Sequence, residues 1–145
     1  MSLTTIRPAA PPDTEALTPL LAQLGYPAAA PEVATRLHRL GADGRAAAFV
    51  AQQGEMVVGL ATAHLLGTLV ATEDIAQLTT LVVAESARGH GIGRQLVLAV
   101  EQWARAKACK RIFVTTAEHR AGAHQFYTRL GWTLTGRRFG RTLCS

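Results

Sequence analysis

One stretch constrains this chain more than any other. A run rich in leucine and β-branched residues, Leu78-Thr79-Thr80-Leu81-Val82-Val83, leads through Ala84-Glu85-Ser86-Ala87 into Arg88-Gly89-His90-Gly91-Ile92-Gly93, and then into an amphipathic segment ending near Lys107. The order is strand, glycine-rich loop, helix N-terminus. The first helical amides have no intrahelical acceptor and sit at the positive end of the helix dipole, so a loop without side-chain bulk lets an anion touch backbone N–H groups. Gly89, Gly91 and Gly93 supply that clearance, and Arg88 adds a cation.

Two familiar glycine signatures do not fit. A dinucleotide fingerprint needs a third glycine where this chain has Arg94 or Leu96, depending on register. The nucleotide P-loop ends in Gly-Lys-Ser/Thr, whereas Gly93 is followed by Arg94 and Gln95. What remains is [Q/R]-x-x-G-x-[G/A], filled by Arg88, Gly91 and Gly93. In this the chain resembles the GNAT superfamily of N-acetyltransferases, whose corresponding loop wraps the pyrophosphate of coenzyme A. The resemblance implies a coenzyme A site lined by Leu81, Val82, Val83, Arg88, Gly89, His90, Gly91, Ile92, Gly93 and Arg94, with the main chain of Leu81 and Val83 along the pantetheine arm.

At 145 residues and 48% hydrophobic, the chain is expected to form one domain spanning 1–145, with enough apolar material for a core. The formal charge is +5, but the basic residues are scattered, which argues against a dedicated nucleic-acid surface. Cys109 and Cys144 lie far apart without redox or metal spacing, and the N-terminus carries no secretory pattern. No apolar run approaches the roughly 18 to 20 residues of a membrane span. A cytoplasmic protein without membrane contact is the expectation. The five histidines form no metal-binding spacing, so no metal is expected.

Along the chain, Leu3 to Arg7 reads as a first strand. Asp13 is placed to cap a helix carrying Leu17, Leu20, Leu21 and Leu24 and stopping at Gly25, with a kink or restart expected at Pro19. Pro31 opens a second helix that ends at Gly41. Ala46 to Gln52 and Met56 to Leu66 form an antiparallel hairpin, His64 being read as a partly buried strand residue. Ile75 to Val83 is the strand before the glycine loop. The helix after it places Ile92, Leu96, Ala99, Val100 and Trp103 on one core face. Arg111 to Thr116 reads as a strand, Arg120 to Leu130 as a helix closed by Gly131, and Trp132 to Leu134 as the start of a last strand that Arg137 to Leu143 extends or offers to a partner chain.

The segment Ala123-His124-Gln125-Phe126-Tyr127-Thr128-Arg129-Leu130-Gly131-Trp132 resembles the family's A-x-x-F-Y-x-x-x-G-F block, with Trp132 in place of phenylalanine. Leu24-Gly25-Tyr26-Pro27 and the Arg36-Leu37 helix also look like this superfamily, so the resemblance covers nearly the whole chain. Periodicity alone reads Tyr127 as core, sharing a helical face with Ala123, Phe126 and Leu130. The resemblance implies that its hydroxyl protonates the departing thiolate, and a phenol of pKa about 10 matches an alkyl thiol.

The implied chemistry is direct attack of a primary amine of a small molecule or peptide on acetyl-CoA, without an acyl-enzyme. The resemblance also implies that backbone amides hold the carbonyl where the central strand bulges and parts from its neighbour, placed here at Val83. The base departs from the pattern. Many relatives carry a carboxylate where this chain has Thr79, with Gln77 two residues earlier, and neither takes a proton at neutral pH. Glu73, Asp74, Glu118 and His119 are other candidates, and Arg120 stands where many relatives have an asparagine. Without a side-chain base, the amine would lose its proton to solvent or through water touching Gln77 and Thr79. The fold expected is α/β: a mixed, twisted sheet of six or seven strands with about four helices. A homodimer is possible. The rival reading is an acyl-CoA sensor of the same fold that does not turn over.

Overall fold

The computed structural model describes residues 3–115 and 121–144, and the chain forms two compact units, Met1–Val114 and Thr115–Ser145. In the first, β1 (Thr4–Pro8), a 3-10 turn at Pro11–Asp13, α1 (Thr14–Leu24) and α2 (Ala30–Ala42) precede the hairpin of β2 (Ala46–Gln53) and β3 (Met56–Leu66). Then come β4 (Ile75–Val83), a second 3-10 turn at Glu85–Ala87, α3 (Ile92–Ala106) and β5 (Ile112–Val114). The second unit contains α4 (Ala121–Arg129). The strands lie in the order β1-β2-β3-β4-β5, antiparallel up to β4 and parallel between β4 and β5.

Alternation along the strands divides the sheet into two faces. Val50, Leu60 and Val82 join Leu17, Leu20, Val33 and Leu37 in one cluster, so α1 and α2 cover this face. On the other, Leu65 and Ala76 pack with Ala104 of α3. Gly59 lies here, where an added Cβ would stand 2.9 Å from Leu96 Cδ1. That glycine lets α3 sit close to the sheet.

The first helix corrects two expectations. Asp13 makes no side-chain cap to α1. Its carboxylate instead accepts from Arg7 Nη1 and Nη2 at 2.9 and 2.8 Å and from the amide of Ala10 at 2.7 Å. A fork of two charged donors outweighs one neutral amide. The helix does not restart at Pro19, and α1 is continuous across it. Leu17 and Leu20 flank it and are 2% and 3% exposed, so their packing against the sheet offsets the hydrogen bond that proline cannot donate.

Among the described residues the sheet has five strands rather than six or seven. Residues 132–144 carry no regular structure, and Leu134, Phe139 and Leu143 are exposed. Leu134 is out of phase with Phe139 and Leu143, so one continuous strand would not place all three on one face, and Gly136 and Gly140 weaken extended pairing further. Strand β5 is shorter than expected, and α4 ends at Arg129, with Gly131 at φ +88° just beyond. Among the described residues no helix is long and apolar enough to cross a membrane.

Candidate active site

The register of β4 decides which of its backbone groups are available. Toward β3, Ala63 pairs with Leu78 and Thr62 with Thr80, leaving Thr79 as an extra residue in a β-bulge. On the N-terminal side of this bulge the amide of Ala76 donates to Arg111 O at 3.1 Å, so even-numbered residues face β5. Beyond it the amide of Ala84 donates to Val58 O at 2.8 Å, so even-numbered residues face β3. The odd-numbered Leu81 and Val83 therefore turn their amides to the β5 side. There the parallel pairing runs only from Ala76 to Leu78. Among the described residues, the β5 side of Leu81 and Val83 thus meets no strand.

This corrects the position of the bulge, which falls at Thr79 and not at Val83. A regular ladder would have turned Leu81 and Val83 into β3; the extra residue reverses their phase. Val82 takes the opposite role to its neighbours. Its side chain is 5% exposed in the α1/α2 cluster and its backbone pairs with Leu60, so it supports the edge without lining it.

The glycine loop is anchored at its start and bare at its tip. Ala87 is buried, the amide of Glu85 donates to Gln23 Oε1 of α1 at 3.2 Å, and Arg88 Nε donates to Val83 O at 3.0 Å. Arg88 thus ties the loop to the open edge and binds the carbonyl of Val83, leaving that residue's N–H without a strand partner among the described residues. Gly89 and Gly91 adopt φ values of +85° and +78°, and a Cβ at either would meet nothing within 4 Å. Such angles suit glycine, and the emptiness around both leaves room for a ligand.

Gly91 is the N-cap of α3, no side chain caps the helix, and its first turn contains no acidic residue. The amide of Gln95 makes the first intrahelical bond, to Gly91 O at 3.1 Å, which leaves the amides of Ile92, Gly93 and Arg94 without intrahelical acceptors. Ile92 buries its side chain, while His90 and Arg94 are exposed beside these donors. Free amides, a helix dipole and flanking basic groups fit a pyrophosphate. An open strand edge leading away from it fits an amide-containing arm.

Two features escaped sequence reasoning. Gln23 braces the loop from a distant helix. Thr62 is a buried polar residue, 6% exposed, whose hydroxyl lies 2.7 Å from that of the exposed Thr79. A threonine inside the apolar run Gly59 to Ala63 was the available signal for the second.

The opposite end of β4 is saturated. Asp74 pairs with Arg45 at 3.0 Å, Glu73 with Lys110 at 3.0 Å, and His64 Nε2 lies 3.4 Å from Asp43 Oδ2. The hydrogen bond from Lys110 holds the Glu73 carboxyl below its usual range. Cys109 is half-buried against the Leu65 cluster, and burial pushes its thiol up, which keeps it protonated and unreactive. Glu118, His119 and Arg120 lie outside the described residues.

The model of the acetyltransferase (GNAT) family matches residues 15–132. The chain belongs to the GNAT acetyltransferase family. It is 33% identical over 91 residues to N-acetyltransferase 8F1 of Rattus norvegicus, covering 63% of this chain and 41% of that protein. It is also 33% identical over 87 residues to the aminoalkylphosphonate N-acetyltransferase of Salmonella typhimurium, covering 60% of this chain and 56% of the relative. The chain thus spans about half the length of these curated relatives, or less. Among solved structures, the aminoglycoside N-acetyltransferase AAC(6')-Iy in complex with CoA superposes with a TM-score of 0.89, 23% identity and coverage of 99% of this chain and 97% of that one. The mixed sheet and four helices are this GNAT fold.

The second GNAT motif lies in the other unit. Tyr127 is half-buried on α4, its ring 5.0 Å from that of Phe126 and 5.2 Å from that of Trp132. The turn after α4 closes on the same residue, the amide of Trp132 donating to Tyr127 O at 2.9 Å. Burial pushes the phenol up to about 12. It is neutral at physiological pH and retains its proton, but it is a weaker acid than the value near 10 that matches a thiol.

Proposed function

We propose that the two units form one acetyltransferase domain that moves the acetyl group of acetyl-CoA to a primary amine of a small molecule or peptide, by direct attack. The open edge at Leu81 and Val83, running from the bare N-terminus of α3, carries this reading. In it, Gly89, Gly91 and the amides of Ile92, Gly93 and Arg94 hold the pyrophosphate, with Arg88 and Arg94 contributing positive charge and His90 a ring beside them. The arm runs along Leu81 and Val83, and a free amide on that edge stabilises the charge that grows on the thioester oxygen.

Tyr127 donates to sulfur as the carbon–sulfur bond breaks. Because its phenol lies near 12, full transfer to a thiolate runs uphill, and its main contribution is a hydrogen bond that strengthens as negative charge develops. No side chain acts as base: about one alkylamine in a thousand is already neutral at pH 7, and that fraction attacks. The names of the relatives, an aminoalkylphosphonate and an aminoglycoside acetyltransferase, support a small polar amine. The chemistry suits the cytoplasm, where acetyl-CoA is available.

The test is thermal denaturation with acetyl-CoA, NAD or ATP. Acetyl-CoA should raise Tm of the native protein, while Gly91→Glu, which places a carboxylate among the free amides, should remove that shift. Equal shifts in both proteins, or tighter binding of NAD or ATP, would overturn the reading. Amine-dependent release of thiol then separates an enzyme from a sensor that only binds.

A further inference from the structure

The bulge that frees the edge of β4 also aims a hydroxyl. Strand β3 alternates regularly from Leu60 to Leu66 against β4, so Thr62 shares the α1/α2 face with Leu60, whose partner there is Val82. Thr79 and Thr80 both stand opposite Thr62, and the Thr79 hydroxyl lies 2.7 Å from that of Thr62. The two threonines differ sharply in access, Thr62 being buried and Thr79 exposed. On the same face, Gln77 pairs across the sheet with His64, and His64 is engaged with Asp43. These polar residues continue the face where the aliphatic cluster beneath α1 and α2 ends.

We propose that the Thr79 hydroxyl accepts a hydrogen bond from the attacking amine nitrogen and that Thr62 is the positioning residue that holds it there. The inference rests on the acetyl-transfer reading above and adds to it the group that orients the acceptor. A threonine hydroxyl has one proton to donate and two lone pairs. The 2.7 Å contact allows either hydroxyl to donate; in the arrangement where Thr79 donates to Thr62, both lone pairs of Thr79 are directed away from the contact, and an amine N–H pointing at one of them leaves the nitrogen lone pair for the thioester carbon. Thr79 lies on the strand whose next outward-facing amide is that of Leu81, so nucleophile and arm are set by one backbone.

In the reaction the ammonium first gives one proton to solvent, the nitrogen–carbon bond forms and the carbon–sulfur bond breaks, the nitrogen gives up a second proton to solvent and keeps one N–H in the amide, and the thiolate takes one proton. Thr79 neither gains nor loses a proton overall. It orients, and that role explains how a hydroxyl can occupy a position beside the reacting atoms without acting as a base.

The test needs no knowledge of the natural amine. Two analogues are compared by titration calorimetry: coenzyme A whose sulfur carries –CH2–C(O)–NH–propyl, and the ketone with methylene in place of N–H. The native protein should prefer the amide by about three- to tenfold, the range of one net hydrogen bond. Thr79→Val should bind coenzyme A unchanged and lose the preference, and Thr79→Ser should restore it. Thr62→Val should weaken the preference, and should add nothing when combined with Thr79→Val, because it acts through that hydroxyl. An amide preference that survives in Thr79→Val, or that is missing from the native protein, overturns the inference alone. Failure of the native protein to bind coenzyme A at all removes this inference and the acetyl-transfer reading together.

Discussion

The two halves of β4 share one strand and do opposite work. From Ala76 to Leu78 the backbone is paired on both sides, to β3 and to β5, and the adjoining carboxylates of Glu73 and Asp74 are held in ion pairs. From Thr80 to Val83 it is paired to β3, while the outward amides of Leu81 and Val83 meet no strand within the first unit. A saturated half fixes the strand in the sheet; an unsaturated half presents hydrogen-bonding groups to a ligand. What separates them is one inserted residue and the shortness of β5. The lesson is that a site can be made from backbone left over by the sheet, with side chains serving mainly to keep it in place.

Proline scanning gives the largest expected contrast. Val82→Pro removes an amide that belongs to the β3 ladder and should cost about 3 kcal/mol or more, read as a large fall in Tm by circular dichroism. Leu81→Pro removes an amide that faces the open edge. It should leave a folded protein that acetyl-CoA no longer stabilises. Equal damage from both substitutions would show that the edge is not open.

Tyr127→Phe asks whether the open half suffices for turnover. It should retain the acetyl-CoA thermal shift while kcat falls by about ten- to a thousandfold, the scale of a lost proton donor. Unchanged kcat would return Tyr127 to a packing role with Phe126 and Trp132.

Asp13→Asn tests a saturated polar site far from the edge. Loss of the Arg7 pair should destabilise the fold by about 2 kcal/mol in urea denaturation, without changing acetyl-CoA affinity. The Arg7 hydrogen bonds lower the Asp13 carboxyl in the folded state, so this contribution is complete above the unfolded value near 3.8 and is lost as pH falls below it. The native protein should therefore lose stability more steeply in acid than Asp13→Asn does. Parallel curves would assign the network no role.

The smallest effect is expected at the closed end. Glu73→Gln should leave kcat unaltered, and kcat/KM should climb toward the pKa of the amine used, without an inflection that stays fixed when the amine is changed. Because Lys110 keeps the Glu73 carboxyl low, Glu73 cannot produce an inflection near neutral pH. A fixed inflection at pH 6 to 7 would place a protein base in the mechanism.

Local pattern fixed a good deal of this molecule in advance. The limits of β4, the β2–β3 hairpin and the stop of α1 at Gly25 follow from strand-forming runs and glycine punctuation, which act within a few residues. So does the bare N-terminus of α3, since glycine at residues 89 and 91 excludes side chains wherever the loop is placed. The errors lie where distant partners compete. Asp13 suits a local cap by position and is claimed by Arg7; α1 does not restart at Pro19, which buried leucines flank; and the strand expected to start at Trp132 to Leu134 does not form among the described residues.

The sequence by itself determined that a strand, a glycine loop and a helix would meet to form an anion site, because each of those preferences is carried by neighbouring residues. Tertiary structure alone decided which amides of that strand are free, that Thr79 is the residue pushed out of the ladder, and that its hydroxyl meets Thr62. The reason is that a strand satisfies its hydrogen bonds on other strands. Which groups remain unsatisfied depends on the register and length of those partners, and no property of residues 75–83 taken alone encodes either.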